Sequence, residues 1–212
     1  MPLYFHFYYS NPHNPEEDKI FNGRLESKQC EFIKANHQRC RRRCVIGLPC
    51  CSSHMPIKYK VKIGNSGIAN GGKGLFAVVK TIGDNDIVFR GQRPSRLGRA
   101  LVGETICPYY GEVLDNDEME RRYADKTAPY GIEINDNRYE DASLVRGVGS
   151  IINHKPKAQS NCEFYVSTRD NLVYLRAIKN IRNGHELFVN YGKDYHLNEE
   201  GVHTATNHSK YW

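Results

Sequence analysis

From residue 58 onward the chain is a series of short apolar runs broken by Gly, Asn and Asp. The runs at 58–63, 75–79, 86–89, 162–168, 172–178 and 186–189 are rich in β-branched and aromatic residues. Runs of this length between turn residues predict many short strands, and so a mainly β fold with a few short helices. One helix is predicted where Asp115 or Asn116 caps a charged stretch running to about Asp125, and a second short one after Asp194. The stretch 91–103 (GQRPSRLGRALVG) reads as a surface loop between two strands. Ahead of this β-rich region, residues 1–23 carry Asn, Pro and aromatics without periodicity, and residues 24–56 form a compact Cys/His/Arg segment. No internal repeat is present.

Composition narrows this picture. The chain has 212 residues, 39% hydrophobic and 25% charged, which is the balance of a folded chain with a core. No apolar run reaches the length of a membrane-spanning helix, and the aromatic start, Met1 to Ser10, does not resemble a secretory leader. The sequon Asn207-His208-Ser209 is then incidental. Seven cysteines is an odd number and four of them fall within 40–51, which points to reduced thiols in an intracellular compartment, with a metal rather than a disulfide framework. The net charge of +6 is unevenly spread. Residues 34–43 hold Lys34, Arg39, Arg41, Arg42 and Arg43 with no acid, whereas 111–141 carry ten Asp/Glu against four Lys/Arg. The two regions favour partners of opposite sign, unless both are simply solvated surface.

Four stretches carry candidate chemistry. The glycine-rich segment 64–77 (GNSGIANGGKGLFA) has the spacing of a phosphate-binding loop, but Gly74 stands where a magnesium-binding hydroxyl is needed. Nucleotide hydrolysis is excluded, while close approach of a ligand to bare backbone is not. The others are Tyr109-Tyr110-Gly111-Glu112-Val113, Asp141-Ala142 followed by Ile151-Ile152-Asn153-His154, and 184–192 (GHELFVNYG). Taken singly, each has an ordinary explanation as a hairpin, a packed strand or a turn.

Taken in order, the four resemble the motifs of the SET family: G-x-G-L-F-A, Y-x-G-E-V, D-A…F-I-N-H with Gly149 in place, and G-x-E-L-x-x-x-Y-G. The resemblance spans roughly two thirds of the chain and places the domain at 58–200, with a tail at 201–212. It implies small curved sheets with a pseudoknot-like threading of the C-terminal segment, and the activity of a protein-lysine methyltransferase using S-adenosylmethionine. It further implies that the backbone of Lys73, Gly74 and Leu75, with Asn153, His154 and Tyr191, holds the cofactor. By the same resemblance Tyr109 and Tyr191 are the catalytic residues lining a lysine channel, with Tyr130 or Tyr165 filling its remaining space beside the small Val189.

The chemistry suits those residue types. A lysine with a pKa of about 10.4 costs roughly 4–5 kcal/mol to deprotonate at neutral pH. An apolar, tyrosine-lined channel beside a sulfonium lowers that cost by desolvation and like-charge repulsion, and hydroxyls can aim the amine. No carboxylate or histidine base is required. The chain departs from the family where Lys155-Pro156 replaces Ser-Cys, Ser150 replaces an Arg and Pro108 a Glu, and no cysteine follows Cys162. The usual C-terminal zinc cluster is therefore missing, as in compact members, and Tyr195, Tyr211 or Trp212 are candidates to cover the cofactor instead.

In the preceding segment, Cys30, Cys40, Cys51 and His54 form a tetrahedral zinc set, with Cys44, Cys50 and His37 as alternative ligands. The spacing resembles the WRC-type motif, which implies a nuclear protein that touches DNA, here through Arg39, Arg41, Arg42 and Arg43. A loop this short buries no core of its own, so metal would supply its folding energy. The combined expectation is a nuclear enzyme acting on a histone or another Lys/Arg-rich protein. Its alternatives are a non-histone substrate, or a silent domain used for binding.

Overall fold

The structure is a computed structural model that describes residues 28–44, 48–69, 71–79, 86–93, 102–123, 128 and 130–192. Among the described residues it is mainly β, with helices α1 (Met55–Tyr59) and α2 (Asn116–Tyr123) and twelve short strands. The predicted helix after Asp194, the flanking segments 1–23 and 201–212, most of the 91–103 stretch, and Tyr195, Tyr211 and Trp212 lie outside the described residues.

The expected strand at 58–63 begins later. Pro56 opens helix α1, where its missing N–H costs nothing, and Lys60 closes it in the left-handed conformation at φ 54°. Only then does β1 (Val61–Asn65) start, and it pairs antiparallel with β2 (Lys73–Ala77), Val61 opposite Ala77 and Asn65 opposite Lys73. Val61, Leu75 and Ala77 are fully buried beneath this hairpin. Strand β3 (Ile87–Phe89) pairs with β11 (Ile181–Arg182), and β5 (Glu112–Leu114), β7 (Arg138–Asp141) and β6 (Gly131–Asn135) form a three-stranded sheet in that order. Helix α2 starts as predicted, with Asp115 Oδ1 accepting the Glu118 N–H at 2.9 Å.

The largest sheet has the order β4 (Thr105–Pro108), β10 (Val173–Ala177), β9 (Cys162–Val166), β12 (Phe188–Val189) and β8 (Asn153–His154). Strand β12 runs parallel to both β8 and β9, so the 155–161 connection between those two must cross over it. The crossing is stitched from both sides. Asn161 Oδ1 accepts the Phe188 N–H at 2.8 Å, and Lys155 donates its N–H to Val189 O at 2.9 Å. This is the threaded arrangement expected of the C-terminal segment.

One hydrophobic core runs from Cys30, Leu48 and Met55 through Val61 and Leu75 to Leu175, Leu187 and Val189. The Cys/His segment is thus packed on the β-rich part. The acidity of 111–141 is partly internal: Glu140 and Asp141 are fully buried, and Glu112, Glu118 and Asp141 all engage Arg122. No helix among the described residues is long and apolar enough to cross a membrane.

Candidate active site and metal centre

The glycine-rich loop between β1 and β2 is held by a carboxylate from the far end of the chain. Glu186 accepts hydrogen bonds from Ser66 Oγ at 2.7 Å, the Gly67 N–H at 2.8 Å and Asn153 Nδ2 at 3.1 Å. Asn153 Nδ2 also donates to Lys73 O at 3.0 Å. Gly74 lies beneath these groups: a Cβ there would stand 2.1 Å from Glu186 Oε1 and 3.1 Å from Asn153 Nδ2. A glycine is required, and the polar groups gather over its bare backbone. Lys73, Gly74 and Asn153, far apart in sequence, therefore share one cradle.

The threaded strand brings the remaining residues alongside. The Tyr191 N–H donates to His154 Nδ1 at 3.1 Å, and the Tyr191 hydroxyl to Ile152 O at 2.6 Å. Desolvation holds the His154 imidazole below its ordinary pKa, so it is a neutral acceptor here. Phe164 stacks on Tyr191 at 6.5 Å and meets the Tyr109 ring edge-on at 5.3 Å. Tyr109, 4% exposed, donates its hydroxyl to Tyr130 O at 2.9 Å. Burial raises both Tyr109 and Tyr191 well above the usual phenol range, and Tyr191 is raised further by Tyr130, so both hydroxyls stay protonated.

Tyr165 does not join this wall. It sits one residue from Phe164 on β9 and therefore points to the opposite face of the sheet. There its hydroxyl meets Thr105 Oγ1 at 2.8 Å, and the Arg176 guanidinium covers its ring at 4.4 Å.

In the N-terminal segment, the donor atoms of Cys30, Cys40, Cys51 and His54 all lie within 4.8 Å of one another. His54 Nδ1 is 3.5 Å from Cys30 Sγ and 3.4 Å from Cys51 Sγ. Zinc bonds of about 2.0–2.3 Å at tetrahedral angles put ligand atoms roughly 3.3–3.8 Å apart, so the donor set fits that ion. Backbone N–H groups of Cys51 and Arg42 point at the sulfurs of Cys30 and Cys40 at 3.3 and 3.5 Å, which favours thiolates. Burial alone would raise Cys30, but the backbone of Cys51 and Phe32 and the His54 side chain bring it down to about 6. Of the alternative ligands, Cys44, Cys50 and His37 do not belong to this close set of donor atoms, and His37 is exposed. All seven cysteines are buried and none forms a disulfide.

Arg39, expected at a DNA surface, is exposed, and its guanidinium is engaged by the backbone. Its Nε donates to Cys30 O at 2.9 Å and its Nη2 to Gln29 O at 2.8 Å, bracing the loop that carries Cys30. Arg41, Arg42 and Lys34 instead border a cavity of about 520 Å³ beside His54, with Ser53 and Ile57.

The family model of the SET domain matches residues 99–192. That match covers under half of the chain. A curated relative, the variant-silencing SET domain-containing protein of Plasmodium falciparum, is 30% identical over 105 residues, which is 45% of this chain and 4% of that protein. Among solved structures, the Chaetomium thermophilum polycomb repressive complex 2 with H3K27me3 and H3K27M shares the fold at a TM-score of 0.50. It has 23% identity and covers 76% of this chain and 18% of that one. Another structure of the same fungal complex gives a TM-score of 0.48, 26% identity, and coverage of 64% and 15%. This chain spans under a fifth of each of these proteins.

Within the matched stretch, two residues at the candidate site were not singled out in sequence. Glu186 belongs to the closing motif, but its partners lie 33 and 120 positions away, and nothing local announces them. Phe164 could have been preferred to Tyr165 on strand parity alone, since it shares a face with buried Cys162.

Proposed function

We propose that this chain is a protein-lysine N-methyltransferase that uses S-adenosylmethionine and acts on a histone. The observation that carries the reading is the convergence made by the threaded strand: Asn153, His154 and Tyr191 meet, and Asn153 is bonded to Lys73 O at 3.0 Å beside bare Gly74. When bound, S-adenosylmethionine supplies a methyl group on a sulfonium, which a neutral amine displaces. Lys73, Gly74, Leu75, Asn153, His154 and Tyr191 would hold it. Tyr109, Tyr191 and Phe164 supply an apolar wall with protonated hydroxyls. Desolvation there disfavours an ammonium, and fixed rings limit how an amine can approach. Nothing in the arrangement nominates a general base, and His154 is occupied with the Tyr191 backbone.

A basic, lysine-rich tail suits the exposed acids around α2 and the β6–β7 turn, namely Asp115, Asp117, Glu120, Glu133 and Asp136. The Plasmodium relative's name links its own SET domain to silencing, which supports chromatin as the setting and the nucleus as the place. Cys30, Cys40, Cys51 and His54 would bind structural zinc. Lys34, Arg41 and Arg42 at the neighbouring cavity would then give salt-sensitive contacts to DNA phosphates.

The test is incubation with radiolabelled S-adenosylmethionine and separate core histones, nucleosomes and non-histone extracts, beside a Tyr191→Phe variant. Label on one histone that falls at least tenfold in the variant supports the reading. Cofactor binding with label only on another protein moves the substrate. Neither binding nor label leaves a domain used for docking.

A further inference from the structure

Arg146 carries a full charge in the interior. It is 2% exposed, and its Nη2 is, among the described residues, the one buried side-chain nitrogen or oxygen without a hydrogen-bond partner. Its Nε donates to Ala142 O at 3.0 Å, and its guanidinium carbon stands 4.3 Å from the centre of the Tyr130 ring. No carboxylate among the described residues pairs with it. Asp141, five residues earlier, accepts from Arg122 at 3.1 Å, the Tyr123 hydroxyl at 2.8 Å and the Ser143 N–H at 2.9 Å. Glu140 is held by the N–H groups of Gly111 at 2.9 Å and Val173 at 2.7 Å.

A guanidinium cannot shed its proton to escape burial, so an unpaired one in the core is costly. An uncharged side chain of the same volume would serve the packing better. A feature that breaks this rule in a core is expected where function requires it. The backbone fixes the location. A Cβ on Gly147, the next residue, would stand 2.0 Å from Tyr109 O, and the Gly147 N–H donates to Tyr110 O at 2.8 Å. Arg146 is thereby locked against the turn after β4 that carries Tyr109, and Tyr109 in turn is bonded to Tyr130.

Resting on the methyltransferase reading above, we propose that Arg146 is a positioning residue for the transfer step. Its buried charge, set behind the wall of Tyr109 and Tyr130, disfavours the protonated form of an entering lysine and steadies the Tyr130 ring. At an effective dielectric of about 20, a unit charge within about 10 Å shifts an amine by roughly one pKa unit, a tenfold larger neutral fraction at pH 7. The acids packed beside this wall, Asp141 and Glu140, have partners of their own in Arg122 and in the N–H groups of Gly111 and Val173, whereas Arg146 has no counter-charge among the described residues.

The experiment uses the full chain with Arg146→Met and, as a polar substitute of similar size, Arg146→Gln. It reads kcat at saturating substrate, which reports the bound amine, from pH 6.5 to 10 together with the thermal midpoint. The expected result is a roughly tenfold loss at pH 7 that closes by about pH 9.5, with a midpoint for Arg146→Met equal to or above wild type. An equal loss at every pH, an unchanged profile, or failure of both variants to fold would make Arg146 a brace and overturn the proposal. A wild-type chain that transfers no methyl group to any substrate overturns the underlying reading instead. Wild-type activity with parallel variant profiles overturns this inference alone.

Discussion

Asn153 donates its side-chain amide to the Glu186 carboxylate at 3.1 Å, joining β8 to the segment that leads into β12. The same carboxylate reaches Ser66 and Gly67, so one acidic side chain ties the glycine loop, the Asn-His pair and the closing strand into a single unit. Each of these bonds closes a long loop, and their shared acceptor makes them interdependent. The cradle over Gly74 exists only when all three segments are in place.

That interdependence is measurable. Glu186→Ala is expected to weaken S-adenosylmethionine binding about tenfold. Gly74→Ala should do the same, because its Cβ would stand 2.1 Å from Glu186 Oε1 and expel the carboxylate. The double variant should be little worse than either single one, a coupling of about 1–2 kcal/mol for residues in contact. Titration calorimetry on the four proteins checks this, and strictly additive losses would contradict it.

The two tyrosines differ in what they hold. Tyr191→Phe removes the 2.6 Å bond to Ile152 O, and Tyr109→Phe the 2.9 Å bond to Tyr130 O. Each leaves a carbonyl unsatisfied, at a cost of about 1–3 kcal/mol. Methyl transfer should fall at least tenfold in each variant, with cofactor affinity within about threefold of wild type. Denaturant titration and single-turnover labelling separate the two effects.

Much of this site was legible because its motifs are local. The glycine loop, Tyr109, Asn153-His154 and Tyr191 each announce themselves within a few residues, and the spacing of Cys30, Cys40, Cys51 and His54 pointed to the set that the fold assembles. What the sequence concealed depends on register and burial. Tyr165 and Phe164 differ by one position on β9, and Phe164 faces Tyr191 because it shares its side of the strand with buried Cys162. Arg39 is exposed, as a basic surface requires, but the sequence did not reveal that the carbonyls of Gln29 and Cys30 also hold its guanidinium. The 58–63 run has the composition of a strand, yet Pro56 and the Cys51 carbonyl, which accepts the N–H groups of His54 and Met55, start a helix first.

The metal set gives a sharp contrast between neighbouring cysteines. Purified protein is expected to hold one zinc ion per chain by elemental analysis. Cys30→Ser and His54→Ala should lose it and unfold at lower temperature, since metal affinity is folding energy in so small a segment. Cys44→Ala should keep the metal, because its sulfur does not belong to the set of donor atoms gathered within 4.8 Å. Loss of zinc from Cys44→Ala with retention in Cys30→Ser would reverse the assignment.

His154 links pH to the integrity of the site. Desolvation lowers its pKa in the folded chain from the ordinary 6.5, so the unfolded chain takes up a proton first as pH falls. Its contribution to stability is therefore complete above about pH 6.5, declines as pH drops towards the folded value, and levels off below that. The same proton would occupy Nδ1, which accepts the Tyr191 N–H at 3.1 Å, and would turn an acceptor into a second donor. Tyr191 would then lose its backbone anchor, and cofactor affinity should weaken in the same pH range. Thermal midpoints and cofactor titrations from pH 7.5 to 5 should show both declines in wild type and a flatter response in His154→Gln. Parallel curves for the two proteins would mean that the acid sensitivity originates elsewhere.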